Sequence, residues 1–535
     1  MAVVAATLTA CAPATPSPTP GSSVAGAPIS SAEARSIPTP PSPAASPNPT
    51  AETPASTLGS TAPTPAAPSA PPPAAPTPPP PPTIALVPVV GFWSLTAGIS
   101  LAELDAALTG SSKVYRRVLV AGSLKGATAS TPARIRAAVN ADARTLGLLA
   151  IDDVTPDVHA LAIDGIDLFG NGRLRDIRTW PLLVPSVPGM DPATPSFDQS
   201  TTWTLVAAGD VMLDRSIYGR TVRQGKGADY PWDGGVADIT GQTCCTTAGG
   251  RLPVVRRAGR AGAVRALFRD ADLALVNLEG PAVDDFRWHP HGLTFTFDPD
   301  LLTGLRDAGV DVVTIGNNHI GNAGPGGVTE TMRHLDEVGI AHVGAGKSAA
   351  TAGTPAWFDV AGQRVALFGY DAIRPAYHAT TRRAGSAGLA ATRYRADIAK
   401  ARRAGADVVV VLPHWGVEYQ AVPTSGQRAD ARKLAAAGST LVLGSHSHWV
   451  GAMETVGGTP VLYSLGNFVF DLVRSEETVE GIIVEVTFVG ARPTQIRLHP
   501  TVMVDVVQPN LLEPSGDGAV VIGRMRRASK ALPGG

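Results

Sequence analysis

Cysteine, net charge and long apolar runs are all in short supply in this chain, and each shortage removes a class of protein. Three cysteines in 535 residues (Cys11, Cys244 and Cys245) are too few for a disulfide framework. Lys+Arg of 44 against Asp+Glu of 45 leaves a formal charge of −1. Such a chain has no long-range basic field, so no nucleic-acid partner is expected. No segment approaches the roughly 20 continuous apolar residues of a membrane span, so the body is expected to be soluble, with membrane contact only through a lipid anchor. The length exceeds the roughly 250–300 residues at which single cores stop growing, so more than one domain is expected.

Proline, alanine, serine and threonine fill the N-terminal stretch. Cys11 closes Leu8-Thr9-Ala10-Cys11, which resembles a bacterial lipobox, whose cysteine carries lipid. The apolar leader before it is short and lacks a basic stretch, so either the true start lies upstream or the match is accidental. Residues 1–11 therefore read as a signal and lipobox segment. Residues 12–83 have too few large apolar side chains to offset ordering entropy, which predicts a disordered tether biased to polyproline II. At about 3.1 Å per residue it reaches up to roughly 200 Å, enough to hold a folded body away from a membrane. The expected location is extracytoplasmic, as a membrane-anchored bacterial lipoprotein. Cys244-Cys245, in a Gly/Thr-rich loop, reads either as a vicinal disulfide or as two unpaired thiols.

Near Thr83 the composition changes abruptly. Ile84–Val90, Arg117–Ala121, Leu148–Ile151 and Val158–Ile163 read as strands, and Leu101–Leu108 and Pro132–Leu146 as helices, the second stopped by Gly147. They predict a small α/β domain over 84–188, laid out like one lobe of a periplasmic solute-binding protein or serving as a packing domain. Residues 189–201 read as a linker. From 202 to 535, helix patterns (Val264–Arg269, Pro299–Ala308, Gly327–Val338, Tyr394–Ala404, Gly426–Ala437) alternate with strand patterns such as Arg364–Tyr370, Pro460–Ser464 and Gly481–Val489. This alternation predicts a layered α/β fold.

Five segments in that region each put metal-ligand side chains just after an apolar run: TLVAAGD, LALVNLE, DVVTIGNNH, DVVVVLPH and TLVLGSHSH. Strand ends of an open α/β sheet gather in one crevice, where ligands bind. Asp210 follows Gly209, which lets the backbone turn close to a cation; an Asp there also serves as a helix N-cap. Asp214 and Arg215 either reach the same crevice or form a surface ion pair. Asn277 and Glu279 project to one side of an extended chain. Two cations about 3.5–4 Å apart need a bridging carboxylate, and Glu279 is the candidate. Asn318 offers an amide oxygen. His319 faces the substrate, to neutralise an oxyanion or protonate a leaving group. His414 follows a strand, with Glu418 as an orienting partner. His446 and His448, two apart on an extended segment behind Gly444, point to one side. Asn467 closes the pocket wall. His289 and His291 read as pocket rim or surface, and His159, His334, His342, His378 and His499 as structural.

In this order, GDVML, VNLEG, IGNNH, PHWGVEY, GSHSH and YSLGNFVFD resemble the CapA family of poly-γ-glutamate capsule-synthesis proteins, within the calcineurin-like metallophosphoesterase superfamily. The resemblance runs from about Thr202 to the C-terminus. It implies a four-layer α/β/β/α sandwich with two divalent ions (Mn, Fe or Zn). Asp210, Glu279 and His448 would hold one ion. Glu279, Asn318, His414 and His446 would hold the other, with His319 near the leaving group. Met212 stands where the wider superfamily has a histidine, and Asn322 where members tend to have an aspartate. The first departure weakens the hold on one metal; the second removes a charge that orients His319.

Three functions remain open from the sequence. One is a metal-dependent hydrolase at the cell envelope, acting on a phosphoester or an amide-linked polyglutamate. Another is a non-catalytic partner in a capsule-synthesis complex that binds metal or polymer. The third is an anchored solute-binding lipoprotein dominated by the 84–188 domain.

Overall fold

The computed structural model describes residues 83–185, 199–246 and 248–533. The lipobox-like Cys11, the Pro-rich stretch and residues 189–198 of the linker lie outside the described residues. Among the described residues no helix is long and apolar enough to cross a membrane.

Leu86, Val87 and Val89 on the Thr83–Gly91 strand are almost wholly buried, which makes that strand the centre of the first unit. It pairs antiparallel with Thr145–Ala150 and with Val158–Ala160, while Arg117–Val120 runs parallel to Thr145–Ala150. Helix Leu101–Thr109 starts at Ser100, whose side chain accepts the Glu103 N–H, and stops at Gly110 in the left-handed region. The second helix is shorter than its pattern predicts: Pro132–Ala141, not Pro132–Leu146. Leu146, Leu148 and Leu149 are fully buried on a strand instead, because pairing with the central strand outweighs helical continuation. Gly147 is therefore no helix stop. It sits in register with Val89, and a Cβ there would lie 2.5 Å from Ile135 Cγ2 and 2.7 Å from Val89 Cγ2. The glycine lets the helix lie flat on the sheet.

From Thr202 onward, two sheets stack. Among the described residues the first has eight strands, ordered Ala341–Val343, Val312–Thr314, Leu273–Leu278, Thr202–Val211, Glu480–Val489, Arg492–Val504, Gln508–Leu511, with Asn467–Val469 also paired to Thr202–Val211. The second has six: Ala356–Val360, Gln363–Asp371, Val408–His414, Leu441–Leu443, Thr459–Leu462, Met453–Val456. Their strands are buried on both faces, and successive residues divide between two cores. Leu205 and Ala207 meet Leu275, Leu367, Val410, Leu412 and Leu441 in the middle layer. Val206 and Ala208 pack outward under helices carrying Phe268, Leu302, Leu305, Val328 and Leu335. On the far side, Ala366, Phe368, Val409 and Val411 pack under Tyr394, Ile398, Ala431 and Leu434. The period-two alternation makes the expected four layers, helix/sheet/sheet/helix.

The sheet built on Thr83–Gly91 meets this sandwich through Phe92, which joins the middle-layer core, and through polar contacts. Arg173, 5% exposed, donates to the Thr202 carbonyl (2.8 Å) and pairs with Asp272 (3.0 Å). Gln495 accepts the Ala160 N–H (3.1 Å), and Thr487 accepts that of Gly170 (2.8 Å). Several elements lacked a clear sequence signal, including strands Arg492–Val504 and Gln508–Leu511, helix Gly518–Lys530, and the hairpin Ala237–Thr243/Leu252–Arg257. Cys244 and Cys245 are joined by a disulfide in that hairpin's connection.

Candidate metal centre

Three neighbouring parallel strands of the first sheet end together: Thr202–Val211 at Asp210, Leu273–Leu278 before Glu279, and Val312–Thr314 before the Asn317–His319 loop. Register sets Asp210 opposite Asn277 on one side and Asn467 on the other. In the second sheet, parallel strands Val408–His414 and Leu441–Leu443 present His414 and the Ser445–His448 loop at the same end. Stacking the sheets brings the two sets face to face.

Asp210, Glu279 and His448 form one cluster, all buried, with ligand atoms within 4.8 Å of one another. His448 Nδ1 lies 3.2 Å from Asp210 Oδ2 and 2.9 Å from Asn467 Oδ1. Around His414 Nε2 a second cluster gathers: Asn318 Oδ1 at 2.7 Å, His446 Nδ1 at 3.1 Å and Glu279 Oε1 at 3.8 Å. Glu279 stands between the clusters. Asn277 Nδ2 spans them too, donating to Asp210 Oδ1 (2.8 Å), at 3.3 Å to Glu279 Oε1, and approaching His414 Nδ1 at 3.3 Å.

Burial, and then the charge of Asp210, hold the Glu279 carboxyl well above the usual carboxylate range. Burial opposes a proton on His448, but hydrogen bonding to Asp210 and the charges of Glu279 and Asp210 raise its pKa to about 9. His414 is pushed well below its ordinary value by burial and by its imidazole neighbours, and His446 to about 4 by burial and His448. Neutral imidazoles are the form that ligates metals. Glu279 Oε2 is buried without any hydrogen-bond partner. An orphaned carboxylate oxygen among imidazole, amide and carboxylate donors fits a divalent cation of borderline hardness.

His319 sits at the edge of this group. Its Nε2 is 3.8 Å from Glu279 Oε2, and its ring lies 4.1 Å from that of Phe295, centre to centre. Burial first, then the charges of His448, His446, Arg215 and Arg374, drop its pKa to about 3, so it is neutral near pH 7. Asn322 Nδ2 donates to its Nδ1 (3.1 Å), which leaves the proton on Nε2. The Asp-to-Asn departure removes a charge here but keeps an orienting hydrogen bond.

Local geometry differs from expectation at four points. His446 and His448 are not on an extended segment: the strand stops at Leu443, and both residues take positive φ, 95° and 57°. Their shared direction comes from a strained loop held by Asp210 and Asn467, strain of the kind that collects at functional sites. Gly209 does not make room for a cation. A Cβ there would lie 1.9 Å from the Gly466 carbonyl, so it lets strand Asn467–Val469 close against Asp210. Gly444, by contrast, allows the close backbone approach expected of it: a Cβ there would meet the Tyr463 carbonyl at 2.2 Å. Arg215 makes no surface ion pair: it bonds Asp471 with both side chains largely buried, while Asp214 is fully buried, caps helix Arg215–Tyr218 and lies 3.1 Å from His289 Nε2. Glu418 is exposed and makes no hydrogen bond to a ligand histidine among the described residues; Ser445 Oγ holds His414 Nδ1 instead, at 2.9 Å.

Sequence reasoning passed over Ser445 and Asn317. Asn317 donates to the Leu278 carbonyl (2.8 Å) and accepts the His319 and Ile320 N–H groups, tying the loop to the neighbouring strand. Both lie within the ligand motifs, so proximity was the available signal.

A family model described as "Bacterial capsule synthesis protein PGA_cap" matches residues 204–472. The "Capsule biosynthesis protein CapA" of Bacillus anthracis is 28% identical over 256 residues, 46% of this chain and 60% of that protein. The "PGA biosynthesis protein CapA" of Bacillus subtilis (strain 168) is 30% identical over 212 residues, 39% of this chain and 56% of that protein. The chain thus spans less than two thirds of the length of these relatives. A solved calcineurin-like phosphoesterase from Bacillus subtilis aligns over 61% of this chain and 96% of its own, with 13% identity and a TM-score of 0.33.

Proposed function

The chain belongs to the bacterial capsule synthesis protein PGA_cap family, and on that premise we propose that the centre between its sheets is a metal-dependent hydrolytic site. Its substrate class is an envelope polymer or a small phosphoester, cleaved at a phosphoester or γ-glutamyl amide bond. The observation carrying this reading is the buried Asp210/Glu279/His448 cluster, with Glu279 Oε2 left without a partner. Asp210, Glu279 and His448 would hold one ion, and Glu279, Asn318, His414 and His446 a second.

Bound there, divalent ions (Mn, Fe or Zn) would supply Lewis-acid polarisation of the scissile group and activation of water. The chain's own residues supply the rest. Asn277 and Asn467 fix Asp210 and His448, and Ser445 fixes His414. His319 presents a neutral Nε2–H toward Glu279, placed to donate to the oxygen or nitrogen that gains charge as the bond breaks. Arg374 and Arg215 act on His319 through their charge; Arg215 is paired with Asp471, so exposed Arg374, with no carboxylate partner among the described residues, is the cation an anionic substrate meets.

One observation favours a second reading. Met212, where the superfamily has a histidine, is fully buried beside Phe295, Phe470, Val479 and Met503. Its sulfur accepts the Asp214 N–H at 3.1 Å and supplies no ligand to the centre. In that reading a single ion is held and the protein serves polymer synthesis by binding alone. The same proposal places the protein outside the cytoplasmic membrane, held through lipidated Cys11; the Leu-Thr-Ala-Cys tetrapeptide and Pro-rich spacer support it.

The deciding experiment measures bound Mn, Fe and Zn in the purified chain and assays a generic phosphodiester and a γ-linked glutamate oligomer, each with wild type and His448→Ala. Metal with His448-dependent turnover establishes the hydrolase. Metal without turnover leaves the binding role, and no metal ends both readings.

A further inference from the structure

A second cavity, of about 250 Å³, opens beside the metal centre and is lined by Arg215, Ser216, Arg220, Gln224 and Trp288 among others, with no acidic residue. We propose that it is an anion-binding subsite for a carboxylate or phosphate of the substrate, outside the reacting bond. The inference rests on the hydrolase reading for what passes through the centre, but on separate residues for what binds.

Arg220 and Arg223 carry the argument. Arg220 hydrogen-bonds Gln224 (3.0 Å), and Arg223 stacks over the Trp288 ring at 3.9 Å. Neither has a carboxylate partner among the described residues, in contrast to Arg173, Arg428 and Arg524; Arg220 is half-buried in the cavity wall, and Arg223 is exposed outside it, meeting the cavity through Trp288. Arginine without a counter-charge, beside an aromatic plane, suits planar anions. The two lie three residues apart on a π-helical turn, Gly219–Arg223, a departure from α geometry that recurs at functional sites. Another cavity, lined in part by Arg524, differs in this respect. Its Arg524 is bound by Glu476, Glu477 and Glu480, so its cation is already neutralised.

Arg215 links the subsite to the centre. Its guanidinium lies 4.8 Å from the Phe295 ring centre, and that ring stacks on His319. Trp288 Nε1 donates to the Arg215 carbonyl (2.9 Å), so the cavity wall and the centre share one backbone segment. An anionic group displaced from the reacting bond along a polymer chain would meet Arg220 and Arg223 while the bond itself lies beside His319.

The test is fluorescence anisotropy with the full chain and two labelled probes of matched charge, a γ-linked glutamate oligomer and a linear polyphosphate. Arg220→Ala/Arg223→Ala is expected to bind at least one probe about tenfold more weakly, with a shallower salt dependence, because two charge-assisted contacts are lost. Arg526→Ala, an exposed arginine on the C-terminal helix, removes charge elsewhere and binds like wild type. The probe with the larger fold-change identifies carboxylate or phosphate as the occupant. Unchanged affinity of the double variant, a loss no greater than that of Arg526→Ala, or no binding of either probe to wild type overturns the inference. Bound metal in the double variant stays at the wild-type amount, which separates loss of the subsite from unfolding. If turnover is absent or does not depend on His448, the hydrolase reading fails while the anisotropy result for Arg220 and Arg223 stands.

Discussion

The two sheets contribute unlike chemistry to one centre. The first delivers oxygen donors (Asp210, Glu279, Asn318), and the second delivers imidazoles (His414, His446, His448). Neither edge would be comfortable alone. Burial, and then the charge of Asp210, raise the proton affinity of Glu279, and burial among other imidazoles lowers that of His414. Facing each other, His448 and Asp210 form a hydrogen-bonded pair and His414 finds Asn318. The lesson is that the metal centre belongs to the sheet–sheet interface, and the apolar middle layer is what holds its two halves in register.

The asymmetry between the sheets can be broken from either side. Glu279→Ala removes the one carboxylate common to both clusters, so bound metal should fall to the background by elemental analysis. Turnover should then drop by roughly 10²–10³-fold or more, the scale of losing a group that stabilises developing charge. His446→Ala should cost only the second ion, leaving about half the metal; equal losses from both variants would erase the distinction between the sheets. Gly209→Ala acts on the frame that carries Asp210. With a Cβ forced to 1.9 Å from a backbone oxygen, it should destabilise by about 3 kcal/mol, read by chemical denaturation.

Supporting residues should matter less and in pairs across the interface. Ser445→Ala and Asn467→Ala each remove an orienting partner of a ligand histidine, with an expected loss of about 10–100-fold in metal affinity by competition with a chelator. The smallest effect is predicted far from the centre, at Asp505 just beyond the Arg492–Val504 strand. Hydrogen bonds from Tyr230 and Arg257 depress its pKa to about 2. A depressed carboxylate stabilises the fold above its unfolded value of about 3.9 and loses that contribution as pH falls through 2. Asp505→Asn should therefore lower Tm slightly at pH 7, with the gap to wild type closing between about pH 4 and pH 2, and leave metal content untouched. A gap that widened in acid would contradict the assignment.

Much of the layered fold was legible because its strands are apolar on both faces, and a continuous run such as Val408–Leu412 has few other readings. The candidate ligand residues stood out for a related reason: each sits where such a run stops. Less visible were features decided by partners distant in sequence. The leucines after Ala141 look helical until the central strand is present to pair with them. Arg492–Val504 is polar enough in places to hide its pairing along Glu480–Val489. Ser445 gives no sign of its role, since its partner is the Nδ1 of a histidine thirty-one residues earlier.

Residue type and position by themselves determined which donors the chain possesses, that they follow apolar strands, and that a dinuclear hydrolase-like centre was the expectation to test. Only the tertiary structure decided which histidine meets which carboxylate. It also decided that His446 and His448 converge through left-handed backbone and not through strand periodicity, that Gly209 serves a strand contact, and that Arg220 and Arg223 have no carboxylate partner among the described residues. The physical reason is range. Alternating burial is written locally along the chain, whereas hydrogen bonds and charges between layers depend on distances that exist only after the two sheets have packed.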